Sequence, residues 1–383
     1  MLRRMGSRPT AVARVRVGGE ELLDPLSEDF VVWLRRRLLR WYRQQARPWP
    51  WRASSNPYQV WIAEVMLQQT RVEVVATAFP RFVARFPSLE GLAAADTEEV
   101  VAAWSGLGYY ARARNLHRAA RWLVQHGYRE FPRDPAVAQK LPGVGSYTAA
   151  AVLSIAYGKP IPALDANVRR VLRRLLGRES ATGTAIIQRA AARLLARRAP
   201  GNWNQALMEL GQRICTPRTA QCERCPWKAR CPSAGSAAQI LAGAPPVGVR
   251  RSEPVIELVV DLVFAPTGQL LVERGAFPYL RHLWMPIVRE RGRDNREQDV
   301  GQALVLGSFH HAIVKRRFRA EVRARSESPK KIERWLRAAP PGSERRLVTA
   351  GELQRLGRSS LLLKAWQLWE RSSGEVLLRT TLA

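Results

Sequence analysis

The chain has very little cysteine. Four occur in 383 residues, all between positions 215 and 231. So few, so close together, build no disulfide scaffold across the fold, and nothing else in the sequence points to export. No apolar run approaches the ~20 residues of a membrane-spanning helix. Acids are scarce: 32 Asp and Glu stand against 62 Lys and Arg, a formal net charge of +30. Codon bias in a GC-rich genome explains Arg in place of Lys, but not the missing acids. Such a field attracts polyanions, nucleic acid first. The default compartment is a reducing cytoplasm, at the nucleoid.

The cysteines themselves are Cys215, Cys222, Cys225 and Cys231, with six, two and five residues between them. Four thiolates without a neighbouring His suit an iron–sulfur cluster. A structural zinc site with four thiolates is the alternative, although zinc sites more often pair two CxxC knuckles or mix Cys with His.

Residues 1–26 open with a basic arm: five Arg and no acid in the first 18. Residues 27–232 read as helices, with apolar positions recurring at three and four, as in Val31, Leu34, Leu38 and Trp41. Residues 233–254 are rich in Ala, Gly, Pro and Ser and read as a linker. From 255 to 383 the period changes to two. Strands are expected at 256–264, 270–272 and 317–325, then helices near 329–338 and 350–370. This half is a smaller α+β domain.

Three segments carry candidate chemistry. Leu141-Pro142-Gly143-Val144-Gly145 precedes an apolar helix, and its amides suit a DNA phosphate at a helix-hairpin-helix turn. Asp165 stands before the helical run Val168, Val171, Leu172, Leu175, either as an ordinary N-cap or as a carboxylate aimed into a cleft. Glu64 lies in WIAEVMLQQT, where Glu64, Leu67, Gln68 and Val72 share one expected helical face. An acid among apolar residues and amides is atypical of a solvated surface.

These segments occur in one order with GLGYYARARNL (106–116), NQALMELG and the cysteine spacing. Together they resemble the MutY-type adenine DNA glycosylases of the endonuclease III superfamily, over roughly residues 28–232. The resemblance implies a mainly α helix-hairpin-helix glycosylase domain with a 4Fe-4S cluster loop (210–232), followed by a smaller α+β Nudix-like domain. It implies a monomer acting on double-stranded DNA with adenine opposite 8-oxoguanine or guanine. Glu64 matches the general acid that protonates adenine N7. Asp165 matches the carboxylate that stabilises the oxocarbenium-like sugar. Tyr147 and Asn167 match residues that position these carboxylates and water. Tyr147 also replaces the Schiff-base lysine of bifunctional relatives, so hydrolysis without efficient strand cleavage is expected. Arg47, Trp51, Leu67, Val72 and Glu209 match the adenine pocket. Gln69 and Tyr109 match wedge residues, and Gly143, Gly145 and Arg218 match backbone contacts. Cys215, Cys222, Cys225 and Cys231 match the cluster ligands.

The resemblance of residues 255–383 to a Nudix-like lesion-recognition domain rests on Asp261, Glu273, Leu283-Trp284 and the tail Leu353 to Trp366. No long acidic box is present, so no pyrophosphatase or Mg site is expected. The family's Phe-Ser-His loop reads Phe309-His310-His311. Phe309 is expected to wedge, His311 to meet phosphate, and His310 to take the place of the lesion-binding serine. The rival readings are a thymine or uracil glycosylase of the same fold and a non-catalytic iron–sulfur DNA-binding protein.

Overall fold

The computed structural model describes residues 26–52, 54–177, 183–235, 254–292, 303–313, 316–357 and 359–372. The basic arm lies outside the described residues except for Leu26. So does the expected linker, apart from 233–235 and 254. No described helix is long and apolar enough to cross a membrane. The described residues fall into two compact units. The first lies within Met1–Glu64, Pro132–Lys140 and Val144–Pro245; the second lies within Val65–Phe131, Leu141–Gly143 and Pro246–Ala383.

In chain order the helices are α1 (Glu28–Gln45), α2 (Pro57–Leu67), α3 (Val72–Arg85), α4 (Leu89–Ala94), α5 (Thr97–Ala103), α6 (Ala111–Gln125), α7 (Pro135–Ala138), α8 (Ser146–Tyr157), α9 (Ala166–Leu175), α10 (Thr184–Leu194) and α11 (Pro200–Arg213). The first unit packs α1 and α8–α11 around one apolar core. Leu34, Leu38, Val171, Leu172 and Trp203 are almost fully buried there. The apolar stripe that the sequence shows on α1 is the face turned into this core. Its N-terminus is capped by Ser27, whose hydroxyl accepts from Phe30 N–H. Helices α8 and α11 approach closely at Gly201, where an added Cβ would lie 2.7 Å from the Ser154 carbonyl oxygen.

The second unit holds α3–α6 and a six-stranded sheet. Its strands are β1 (Ile256–Phe264), β2 (Leu270–Arg274), β3 (Ile287–Glu290), β4 (Leu304–Ile313), β5 (Arg316–Ser326) and β6 (Glu344–Val348). The order is β4-β5-β1-β2-β6, with β3 also paired to β1. β1 and β5 run parallel; the other pairs are antiparallel. Three helices complete the unit: α12 (Pro329–Arg337), α13 (Ala350–Arg355) and α14 (Ser360–Arg371). The alternation read from β1 is real, but both faces are covered. Leu258, Val260 and Leu262 pack into a core with Leu353, Leu361 and Leu362, whereas Val263 packs with Leu271 and Ile332.

The single helix expected over 350–370 is two, broken at Leu356-Gly357. A Cβ on Gly357 would meet Val101 Cγ1 on α5 at 2.6 Å, so the loop is pressed against that helix. The acids likened to the Nudix pattern are engaged in ion pairs: Asp261 with Arg289, and Glu273 with Arg345.

Candidate active site

Helix α2 starts where the sequence expects. The Asn56 side chain accepts from Tyr58 and Gln59 N–H at 3.0 and 3.1 Å, and Pro57 occupies the first helical position. Glu64 is 5% exposed on this helix. Burial pushes its carboxyl up to about 7; the Tyr147 hydroxyl and Arg52 oppose the rise, and Asp165 adds to it. Tyr147, at the start of α8, donates from its hydroxyl to Glu64 Oε2 at 3.0 Å. Burial and the two carboxylates hold the Tyr147 phenol well above its ordinary range, so it stays a donor.

Asp165 is the N-cap of α9. Its Oδ1 accepts from Val168 N–H at 2.6 Å, while Oδ2 accepts from Asn167 Nδ2 at 3.0 Å. Asn167 is in turn held by Arg170, whose Nη2 donates to Asn167 Oδ1 (2.9 Å) and to the Gly211 carbonyl (2.8 Å). Nε of Arg170 donates to the Cys215 carbonyl at 2.9 Å. Sequence reasoning missed Arg170. Its only signal is the spacing of three from Asn167 on one helix face.

Glu209 on α11 has no exposed side-chain surface. Arg52 (2.6 Å), Arg47 (2.9 Å) and Arg213 (3.3 Å) surround it. Burial alone would raise its carboxyl, but Arg52 and then Arg47 outweigh that and hold it below the usual range. The Trp49 and Trp51 rings stack at 5.6 Å, with Arg47 4.7 Å over Trp49. Arg47, Trp51 and Glu209 thus belong to one local arrangement, and Arg52 joins them unforeseen.

The cysteine loop follows α11. Cys215, Cys222, Cys225 and Cys231 line one small cavity together with Arg174 and Ile214. Arg174 Nη1 approaches Cys215 Sγ at 3.3 Å and donates to the Thr216 carbonyl at 2.8 Å. Buried Trp227 pins the loop to α1 through Nε1, which donates to the Leu34 carbonyl at 3.0 Å. Burial raises the Cys225 thiol to about 12 and raises Cys231 as well. Among the described residues no group of three or more Cys, His, Asp or Glu is arranged to hold a metal ion. Four soft sulfur donors around one cavity fit a polynuclear iron–sulfur centre. Arg218 is exposed on this loop.

The second unit holds Leu67, Val72, Gln69, Tyr109 and Gly143. The expected continuous face from Glu64 to Val72 does not form. Helix α2 ends at Leu67, and Val72 opens α3. The cause is Arg112, buried at 9% exposure. Its Nη1 takes the carbonyls of Val65, Met66 and Gln68 at 2.9, 2.7 and 2.5 Å. Its Nη2 takes Thr70 Oγ1 and the carbonyls of Leu107 and Gly108 at 2.9, 3.0 and 3.0 Å. One guanidinium therefore ties together the two loops that carry Gln69 and Tyr109. Those residues are the non-glycine positions with positive φ among the described residues, at 57° and 48°. Gly143 also has positive φ, 78°, and a Cβ there would lie 2.9 Å from Asn115 Cβ. Gly145 instead is extended and caps α8.

On β4, Phe309 and His311 are half-buried while Ser308 and His310 are exposed, as strand alternation requires. Phe309 packs against the sheet core. His311 Nε2 lies 3.3 Å from Ser360 Oγ, and burial, then Lys364, lowers its imidazole to about 4. His311 is therefore neutral near pH 7.

Residues 62–197 match the model of the HhH-GPD superfamily base excision DNA repair proteins. The human adenine DNA glycosylase is 38% identical over 233 residues, covering 57% of this chain and 42% of that protein. The adenine DNA glycosylase of Mycobacterium tuberculosis is 40% identical over 194 residues, covering 49% of this chain and 64% of that protein. The resemblance to the MutY-type enzymes is borne out by these relatives. The chain spans less than two thirds of either relative's length. A solved thermostable thymine-DNA glycosylase aligns at 27% identity with a TM-score of 0.51, over 56% of this chain and 98% of that one.

Proposed function

We propose that this chain is a monofunctional adenine DNA glycosylase of base excision repair, acting as a monomer on duplexes with adenine opposite 8-oxoguanine or guanine. The observation that carries the reading is Glu64, buried and pushed up to about 7 beside Asp165 and Tyr147. Adenine leaves poorly as an anion, so a protonated carboxyl at Glu64 delivers a proton to N7 of the extruded base. Asp165, accepting from Val168 and Asn167, faces the positive charge that develops on the sugar. Two carboxyls with separated roles follow the usual tuning pattern. Tyr147 offers no amine for a Schiff base, which favours hydrolysis over strand cleavage. Gln69 and Tyr109 fill the stack left by the extruded base. Leu67, Val72, Arg47, Trp51 and Glu209 take the adenine-contacting roles that the resemblance gives them, and Gly143, Gly145 and Arg218 the backbone-contacting ones. Cys215, Cys222, Cys225 and Cys231 hold a 4Fe-4S cluster, which when bound supplies structural support for the loop. The sheet of the second unit is a Nudix-like domain that recognises the lesion.

A thymine-releasing reading has the solved structure in its favour, at lower identity than the adenine-releasing relatives. Single-turnover base release separates the two. Adenine should leave duplexes carrying 8-oxoguanine or guanine opposite it, with the strand intact until alkali is added. Release of thymine or uracil alone would overturn the proposal.

A further inference from the structure

The resemblance to the Phe-Ser-His pattern implies a lesion-binding hydroxyl at a position that is His310 here. The second unit places a hydroxyl elsewhere. One groove is lined by Tyr109, Tyr279, Arg281, His311 and Ser360. His310 does not line it; it is exposed on the other face of β4, and its carbonyl accepts from Lys364 Nζ at 3.0 Å. Ser360 opens α14, but the helix cap is its neighbour: Ser359 Oγ accepts from Leu362 N–H at 3.0 Å. The Ser360 hydroxyl is thus not spent on the helix terminus. Its recorded partner is His311 Nε2, at 3.3 Å.

We propose that the Ser360–His311 pair, and not His310, reads the base opposite adenine by accepting the N7–H that distinguishes 8-oxoguanine from guanine. This rests on the adenine glycosylase reading. Guanine N7 is a lone-pair acceptor; in 8-oxoguanine the same position is an N–H donor. With the Ser360 proton donated to His311 Nε2, the Ser360 oxygen presents lone pairs to the groove. It then accepts from 8-oxoguanine and opposes guanine, acceptor against acceptor. The arrangement needs a neutral imidazole, which the burial of His311 beside Lys364 provides. Tyr109 supplies an aromatic surface in the same groove, 45% exposed.

The test measures affinity for duplexes with a non-hydrolysable 2′-fluoro-deoxyadenosine opposite 8-oxoguanine or guanine. Ser360→Ala should lower the ratio of the two affinities by about tenfold, by weakening the 8-oxoguanine duplex and relieving the opposition to guanine. Ser360→Thr keeps the hydroxyl and should keep the ratio. His310→Ala should leave the ratio near that of the wild type. Thermal melting checks that each variant folds. Loss of discrimination in His310→Ala but not in Ser360→Ala overturns the inference, as does a wild-type ratio near one. Adenine release from natural duplexes is read separately. Its absence in the wild type would sink the glycosylase reading, while the binding ratio still decides the role of Ser360.

Discussion

The Tyr147 hydroxyl donates to Glu64 Oε2 at 3.0 Å, and this bond opposes the effect of burial on that carboxyl. The proposed acid must be protonated to act. Single-turnover adenine release should therefore fall as pH rises through about 7. Tyr147→Phe removes an interaction that favours the charged form, so the alkaline limb should move to higher pH. A limb that moved to lower pH would mean that Tyr147 stabilises the protonated acid instead.

Glu64→Gln keeps the shape and removes the proton. Base release should drop by roughly 10²–10⁴-fold, the usual share of a general acid. Stability should change in the opposite sense. The folded-state carboxyl is raised above its unfolded value, so its contribution is fully present below the unfolded pKa near 4.5 and is lost as pH rises to about 7. Wild-type stability should decline by up to about 1.4 kcal/mol per pH unit across that window. The Gln variant should lack this decline, as denaturant titrations at several pH values would reveal.

Arg112 is the structural tie between the Gln69 and Tyr109 loops. Replacing it with Met leaves buried carbonyls of Val65, Met66 and Leu107 without their donor. A loss of about 3 kcal/mol or more is expected in chemical denaturation. Arg112→Lys keeps the charge, but a single ammonium does not span both loops. It should fold and yet bind duplex DNA more weakly, because Gln69 and Tyr109 are no longer held at positive φ. Fluorescence anisotropy with a non-hydrolysable duplex measures this.

Much of the candidate site is legible where single side chains stand out. Glu64 stood among apolar neighbours, Asp165 stood before a helical stripe, and four cysteines clustered. What stayed hidden depends on partners far apart in sequence. Arg112 and Arg170 look like ordinary members of Arg-rich helices in a chain with 62 basic residues. Only folding reveals that one closes two loops and the other joins Asn167 to the Gly211 and Cys215 carbonyls. Periodicity likewise carried Glu64 to Val72 as one face, because apolar spacing does not register a carbonyl taken by a distant guanidinium. His310 is exposed on β4, on the face opposite Phe309 and His311. Alignment to a motif gives order along a strand, whereas alternation decides which face a side chain occupies.

Gly211 offers the most discriminating test of how Asp165 is held. An added Cβ there would lie 2.8 Å from Asn167 Cβ and 3.3 Å from the Asn167 backbone. Asn167 must then move, and with it the Nδ2 donor on Asp165 Oδ2 and the acceptor for Arg170. Gly211→Ala should lose about 1–3 kcal/mol of stability by overpacking. It should also slow base release at saturating DNA. Gly201→Ala is the control, since a Cβ there meets the Ser154 oxygen at 2.7 Å, a comparable clash. It should cost similar stability without a comparable loss of rate. Equal rate losses in the two variants would mean that general loosening of α11, rather than displacement of Asn167, limits the chemistry.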